Sequence, residues 1–160
     1  YDESIEAYDR AIELDLNQSG FWNNKASPLI ALGRLEEALF CAEKALDLDP
    51  YLVEAWSNKG LVFIGIGKLE ESLTCFDSAI KINPEYAPAW GNKGMVLATL
   101  KRYEEALECT DKALDIDPKY ASAIPVMRLV APGPLVQMAT PNFPLSRAYP
   151  SAAIAAVCSW

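Results

Sequence analysis

An interval of 34 residues governs this chain. "WNNKA" at 22–26 returns as "WSNKG" at 56–60 and as "WGNKG" at 90–94. "RLEEALFCAEKALDLDP" (34–50), "KLEESLTCFDSAIKINP" (68–84) and "RYEEALECTDKALDIDP" (102–118) superpose at the same spacing without a gap. The opening "YDESIEAYDRAIELDLN" (1–17) matches that second element, beginning one residue later in it. A fixed period of this size marks a stacked repeat: one unit cannot bury its own apolar faces, so neighbours must cover them.

Each unit holds two amphipathic helical patterns. Trp56, Gly60, Phe63 and Ile64 make one, and Leu69, Leu73, Phe76, Ala79 and Ile80 the other, both at i, i+3, i+4 and i+7 spacing. Gly67 in the intervening "GIGK" can take the left-handed conformation that ends a helix. Pro50, Pro84 and Pro118 close the units, each behind an Asp or Asn suited to a turn. The chain is therefore expected to be all-α, built from antiparallel helix pairs. Trp22, Trp56 and Trp90 are expected to fill the space between the two helices of a pair. The small Ala26, Gly60 and Gly94 let the backbones approach, with Ala45, Ala79 and Ala113 as the small complement on the second helix. Pro28 falls inside a first helix, where it should remove a hydrogen bond and bend it.

Through these residues, with Ala38 and Ala106 early in the second helices, the chain resembles the tetratricopeptide repeat family. The resemblance implies an α-solenoid, a right-handed superhelix whose concave groove is lined by the first helices. Residues 1–18 then form the second helix of a truncated repeat, and 19–52, 53–86 and 87–120 are whole repeats. Residues 121–160 are a non-repeat, Pro-rich tail expected to be irregular or partly disordered. "KYASA" at 119–123 still tracks "EYAPA" at 85–89, but Ile124 stands where the next Trp belongs and Pro125 follows. Other departures are Lys101 in the slot of Gly33 and Gly67, Ser72 for the expected Ala, and Leu16-Asn17 where a closing proline would stand.

Composition narrows the function. Residues 1–118 contain all 22 acids against 11 Lys and Arg, so nucleic acid and anionic membrane surfaces are disfavoured partners. No apolar run is long enough to span a bilayer. There is no His and no CxxC pair, and Cys41, Cys75 and Cys109 sit on successive units. Neighbouring helix axes lie roughly 8–10 Å apart, beyond the ~7 Å between Cα atoms that a disulfide tolerates. These cysteines therefore read as packing residues, and no metal or cofactor is expected. Without a nucleophile–base pair or phosphate loop the chain does not read as an enzyme. Free thiols suit a reducing interior, which makes the cytoplasm the expected location. The lack of an initiating Met, and an opening in mid-pattern, suggest a fragment.

The side of each first helix away from its Trp should face the groove. Two places after each Trp stand Asn24, Asn58 and Asn92, each offering an amide donor and an acceptor to an extended peptide backbone. They could equally bond to a neighbouring repeat and lock the stack. Asn23, Ser57 and Gly91, then Ser27, Leu61 and Met95, then Ile30, Ile64 and Ala98, are assigned to the rest of the lining. By the resemblance, chaperone-binding members clamp a terminal carboxylate with groove Lys and Arg. Here the corresponding residues include Asn23, Glu54, Pro88 and Gly91. The expectation is a protein-interaction module for an extended, moderately apolar polypeptide. Lys25, Lys59 and Lys93 read as solvated stems covering apolar surface. The paired glutamates opening each second helix read as partners of the helix dipole. Two other readings remain: self-association through an open terminal helix face at residues 1–16, and a substrate-selecting region of a larger enzyme.

Overall fold

The computed structural model describes residues 1–118. It contains seven helices: α1 (Asp2–Leu14), α2 (Ser19–Ala31), α3 (Leu35–Leu48), α4 (Val53–Gly65), α5 (Leu69–Ile82), α6 (Ala87–Thr99) and α7 (Tyr103–Ile116). No strand occurs among the described residues. Each helix packs on the next, and α2 also meets α4 as α4 meets α6. The first helices therefore make one continuous layer, and each second helix packs between two of them, as in a solenoid of nested hairpins. The expected tail at 121–160 lies outside the described residues.

Two kinds of corner set the period. From first to second helix, the chain turns through a left-handed residue: Gly33 at φ 72°, Gly67 at 79° and Lys101 at 62°. At each, the following N–H reaches back over the helix end: Arg34 N to Leu29 O, Lys68 N to Phe63 O and Arg102 N to Leu97 O, all 2.8–2.9 Å. Carbonyls that would otherwise be orphaned at the helix end are thereby satisfied. From second helix to the next first helix, Asp15, Asp49 and Asn83 each accept a bond from the N–H two residues on, at 3.0 Å. The tryptophans tie those same corners down. The indole N–H groups of Trp22, Trp56 and Trp90 donate to Leu16 O, Pro50 O and Pro84 O at 3.1, 2.9 and 2.9 Å.

The tryptophans are thus half-buried joints between repeats as well as fillers within them. Trp56 packs against the cluster of Ala45, Leu46 and Ala55 and also against the one holding Phe76 and Ala79. The spacing between helices is set otherwise than the sequence suggested. A Cβ on Gly60 would lie 2.7 Å from the Phe76 ring, and one on Gly94 would lie 2.9 Å from Thr110 Oγ1. Ala42 holds the place of Phe76 and Thr110 in the first whole repeat, where Ala26 keeps its methyl. Bulk on the second helix thus varies from repeat to repeat while its partner on the first helix stays small. Ala45 and Ala79, expected as the small complement to the first-helix stripe, share clusters with Trp22 and Trp56 of their own repeats and with Ala55 and Ala89 on the following first helix. Their smallness lets consecutive repeats approach. Ala113 is equally buried on α7. Pro28 does not end α2, which runs on to Ala31. The ring is buried at the place where Val62 and Val96 are also buried, so apolar packing offsets the missing N–H.

Candidate binding groove

The exposed side of the first-helix layer carries one stripe per helix: Asn24, Ser27 and Ala31 on α2; Glu54, Asn58, Leu61 and Gly65 on α4; Pro88, Asn92, Met95 and Thr99 on α6. These residues share the i, i+3/i+4 spacing of one helix face. Glu54 is the only charged residue among them. Met95 is an exposed apolar side chain and Leu61 a half-buried one, a repeat apart.

The three asparagines are not equivalent. Asn58 Nδ2 donates to Asn23 Oδ1 at 2.9 Å, across the join between α4 and α2. Asn23 Nδ2 in turn points to Asn24 Oδ1 at 3.3 Å. Asn58 is therefore engaged in holding consecutive repeats in register. The side chain of Asn92 makes no hydrogen bond among the described residues, because its neighbour at the position of Asn23 is Ser57. Asn24 keeps its amide N–H₂ free, and Pro28 leaves the Asn24 carbonyl without its helical donor. Asn24 is one wall of a shallow cavity of about 450 Å³ between α1 and α2, lined also by Tyr1, Ser4, Tyr8, Ser27, Pro28 and Ala31.

Several residues assigned to the lining sit elsewhere. Asn23 and Ser57 are buried, 7% and 4% exposed, in the joins between first helices. Ile30, Ile64 and Ala98 are half-buried and pack against the apolar core on one side, as Leu61 also does. Asn24, Asn58, Leu61, Asn92 and Met95 remain on the open stripe.

A second ladder escaped the sequence reading. Lys25, Lys59 and Lys93 pair with Asp9, Glu43 and Asp77 on the preceding second helix; the Lys59 and Lys93 contacts are 2.9 and 2.6 Å. Each lysine is largely covered, and the ammonium groups of Lys59 and Lys93 lie 6.0 and 5.9 Å from the centres of the Trp56 and Trp90 rings. An acid stands 16 residues before each lysine in all three units, and that was the available signal. These are inter-repeat rungs with apolar-covering stems, not free cations for a ligand.

Cys41, Cys75 and Cys109 are buried and unpaired. Burial pushes all three thiols up, Cys75 to about 11, so each stays protonated and unreactive near neutrality. Among the described residues no cluster of His, Cys, Asp and Glu could hold a metal ion, and no helix is long and apolar enough to cross a membrane.

Models of the tetratricopeptide repeat match residues 19–51, 53–86 and 87–120. Among solved structures, TTC0263, a thermophilic protein of this kind from Thermus thermophilus, superposes with a TM-score of 0.76 at 22% identity, covering 81% of this chain and 73% of its own. YrrB, a protein of this kind with an unusual peptide-binding site, superposes at 0.67 with 25% identity over 78% of this chain and 66% of its own. The first such domain of Spaghetti (RPAP3), solved with the HSP90 peptide SRMEEVD, gives 0.67 at 21% identity over 76% of this chain and 94% of its own. No curated relative matches the sequence.

Proposed function

The chain belongs to the tetratricopeptide repeat family, and from that premise we propose that it is a protein-interaction module whose concave stripe receives an extended polypeptide. The observation that carries this is the stripe itself: an open face with the Asn92 amide and the Asn24 N–H₂ free for bonding, apolar Leu61 and Met95, and no cation. Peptide binding by YrrB supports the reading. An acidic peptide such as the one held by RPAP3 suits this stripe poorly, because no Lys or Arg projects from it.

Geometry suggests the register of a ligand. First helices of consecutive repeats sit roughly 10 Å apart, and an extended chain advances about 3.1–3.4 Å per residue. The ligand therefore passes one repeat every three residues, and side chains at i and i+3 meet Leu61 and Met95. Asn24 and Asn92 serve as backbone partners, while Asn58 works mainly for the stack.

A peptide array read with the full chain tests this. Selected peptides are expected to share apolar residues three apart. Met95→Ser, at an exposed side chain, is expected to weaken binding with an unchanged melting temperature. The Leu61→Ser/Met95→Ser variant, which also trims a side chain packed on the core, is expected to lose at least about tenfold in affinity while still unfolding cooperatively, the scale of removing two central contacts. Unchanged affinity in that variant overturns the reading.

A further inference from the structure

The corners joining α1 to α2 and α3 to α4 carry a surface that neither the stack nor the groove uses. Leu14, Leu16 and Tyr51 are 89%, 62% and 77% exposed, and Leu48 is exposed beside them. Single exposed apolar residues are ordinary, but these gather at the same corner of two consecutive repeats, Leu14 and Leu48 at equivalent positions and Leu16 and Tyr51 one residue out of register. Leu14 and Leu48 end α1 and α3, and Leu16 and Tyr51 stand in the corners that follow. The third corner breaks the pattern, with Ile82 half-buried and Glu85 in the place of Tyr51. The apolar strip is thus local, and the periodic needs of the fold do not explain it.

Its surroundings are anionic. Glu13, Asp15, Asp47 and Asp49 alternate with the apolar residues. Asp15 and Asp49 accept backbone N–H bonds within their corners. Among the described residues the cations of these two corners are Arg10, four residues before Leu14, and Lys44, 3.7 Å from Asp47, fewer than the four carboxylates. A strip of exposed apolar side chains set among carboxylates is complementary to a segment carrying apolar side chains beside Lys or Arg. Charge complementarity then selects the partner, and apolar burial holds it.

We propose that this edge is a second docking surface, separate from the groove, and that its occupant is a cationic amphipathic segment of a partner protein. Apolar side chains of that segment cover Leu14, Leu16, Leu48 and Tyr51. Its basic groups face the four carboxylates, so the interaction weakens as salt is added.

The test uses the full chain and three synthetic peptides of equal length: one alternating Leu and Lys, one alternating Ser and Lys, and one alternating Leu and Glu. Affinities are measured by fluorescence anisotropy at low and at high ionic strength. The Leu/Lys peptide is expected to bind at least about tenfold tighter than either control, roughly the worth of two exposed charge pairs plus apolar contacts. The Leu14→Ser/Leu16→Ser/Tyr51→Ser variant is expected to abolish that preference with an unchanged melting temperature. Leu61→Ser/Met95→Ser is expected to leave it intact, which separates this edge from the groove. Equal binding of the Ser/Lys peptide, or an edge variant that still prefers Leu/Lys, overturns the proposal. So does light scattering in which the edge variant turns an oligomer into a monomer, since the occupant would then be a second copy.

Discussion

A single hydrogen atom sets how closely α4 approaches α5. Gly60 presents nothing but that atom to the Phe76 ring, and a methyl there would collide at 2.7 Å. Gly60→Ala is therefore expected to cost about 1–3 kcal/mol, as overpacking does. In a Phe76→Ala background, itself destabilised by about 3–5 kcal/mol, the same change should be neutral or favourable by up to ~1 kcal/mol, since Ala outranks Gly in a helix. Urea denaturation of the four proteins checks this, and additive costs would contradict it. Lys101 holds a left-handed conformation that Gly33 and Gly67 hold without strain. Lys101→Gly should therefore raise stability by roughly 0.5–1 kcal/mol in the same assay. Cys75 carries a pH signature. Its folded pKa, about 11, lies above the unfolded thiol value, so the folded state holds the proton more tightly. The contribution is fully present below the unfolded pKa and is lost as pH rises toward about 11. Stability should fall across that window, and Cys75→Ala should flatten the fall. A pH–stability profile with no such difference would count against a buried thiol.

At the scale of elements, the hairpin was legible almost residue by residue, and the joins between hairpins were not. Periodicity reveals what recurs within one unit, so Trp56, Gly60, Gly67 and Pro84 announced helices, corner and stop. Contacts between units depend on side chains in different repeats, and these vary. Asn58 finds Asn23 where Asn92 finds Ser57. One sequence ladder of asparagines therefore splits into two roles. Asn58→Ala is expected to cost about 1–2 kcal/mol by leaving buried Asn23 short of a donor. Asn92→Ala should change stability by less than about 0.5 kcal/mol, and Asn24→Ala by an intermediate amount, because its Oδ1 accepts the long 3.3 Å bond from buried Asn23. Thermal melts of the three variants decide it, and equal costs would return the ladder to a single role. The lysine rungs were missed for a related reason: the lysines and their acids recur separately, and only three dimensions bring them together.

As a whole molecule the chain is a line of units, each bonded to its neighbours by an indole corner, a lysine rung and small-residue contacts. Stability in such a line is shared between neighbours, so α4 and α5, covered on both sides, should exchange amide hydrogens most slowly, and α1 fastest. The same arrangement keeps polar and apolar groups of the first helices outside the core, which is what leaves a stripe free for a ligand. Chemical-shift mapping of the labelled full chain, titrated with a peptide chosen from the array, tests that most directly. Shifts are expected to concentrate at Asn24, Ser27, Leu61, Asn92 and Met95, with Lys44, Ser78 and Lys112 on the second helices unmoved. Shifts confined to the second helices would contradict it.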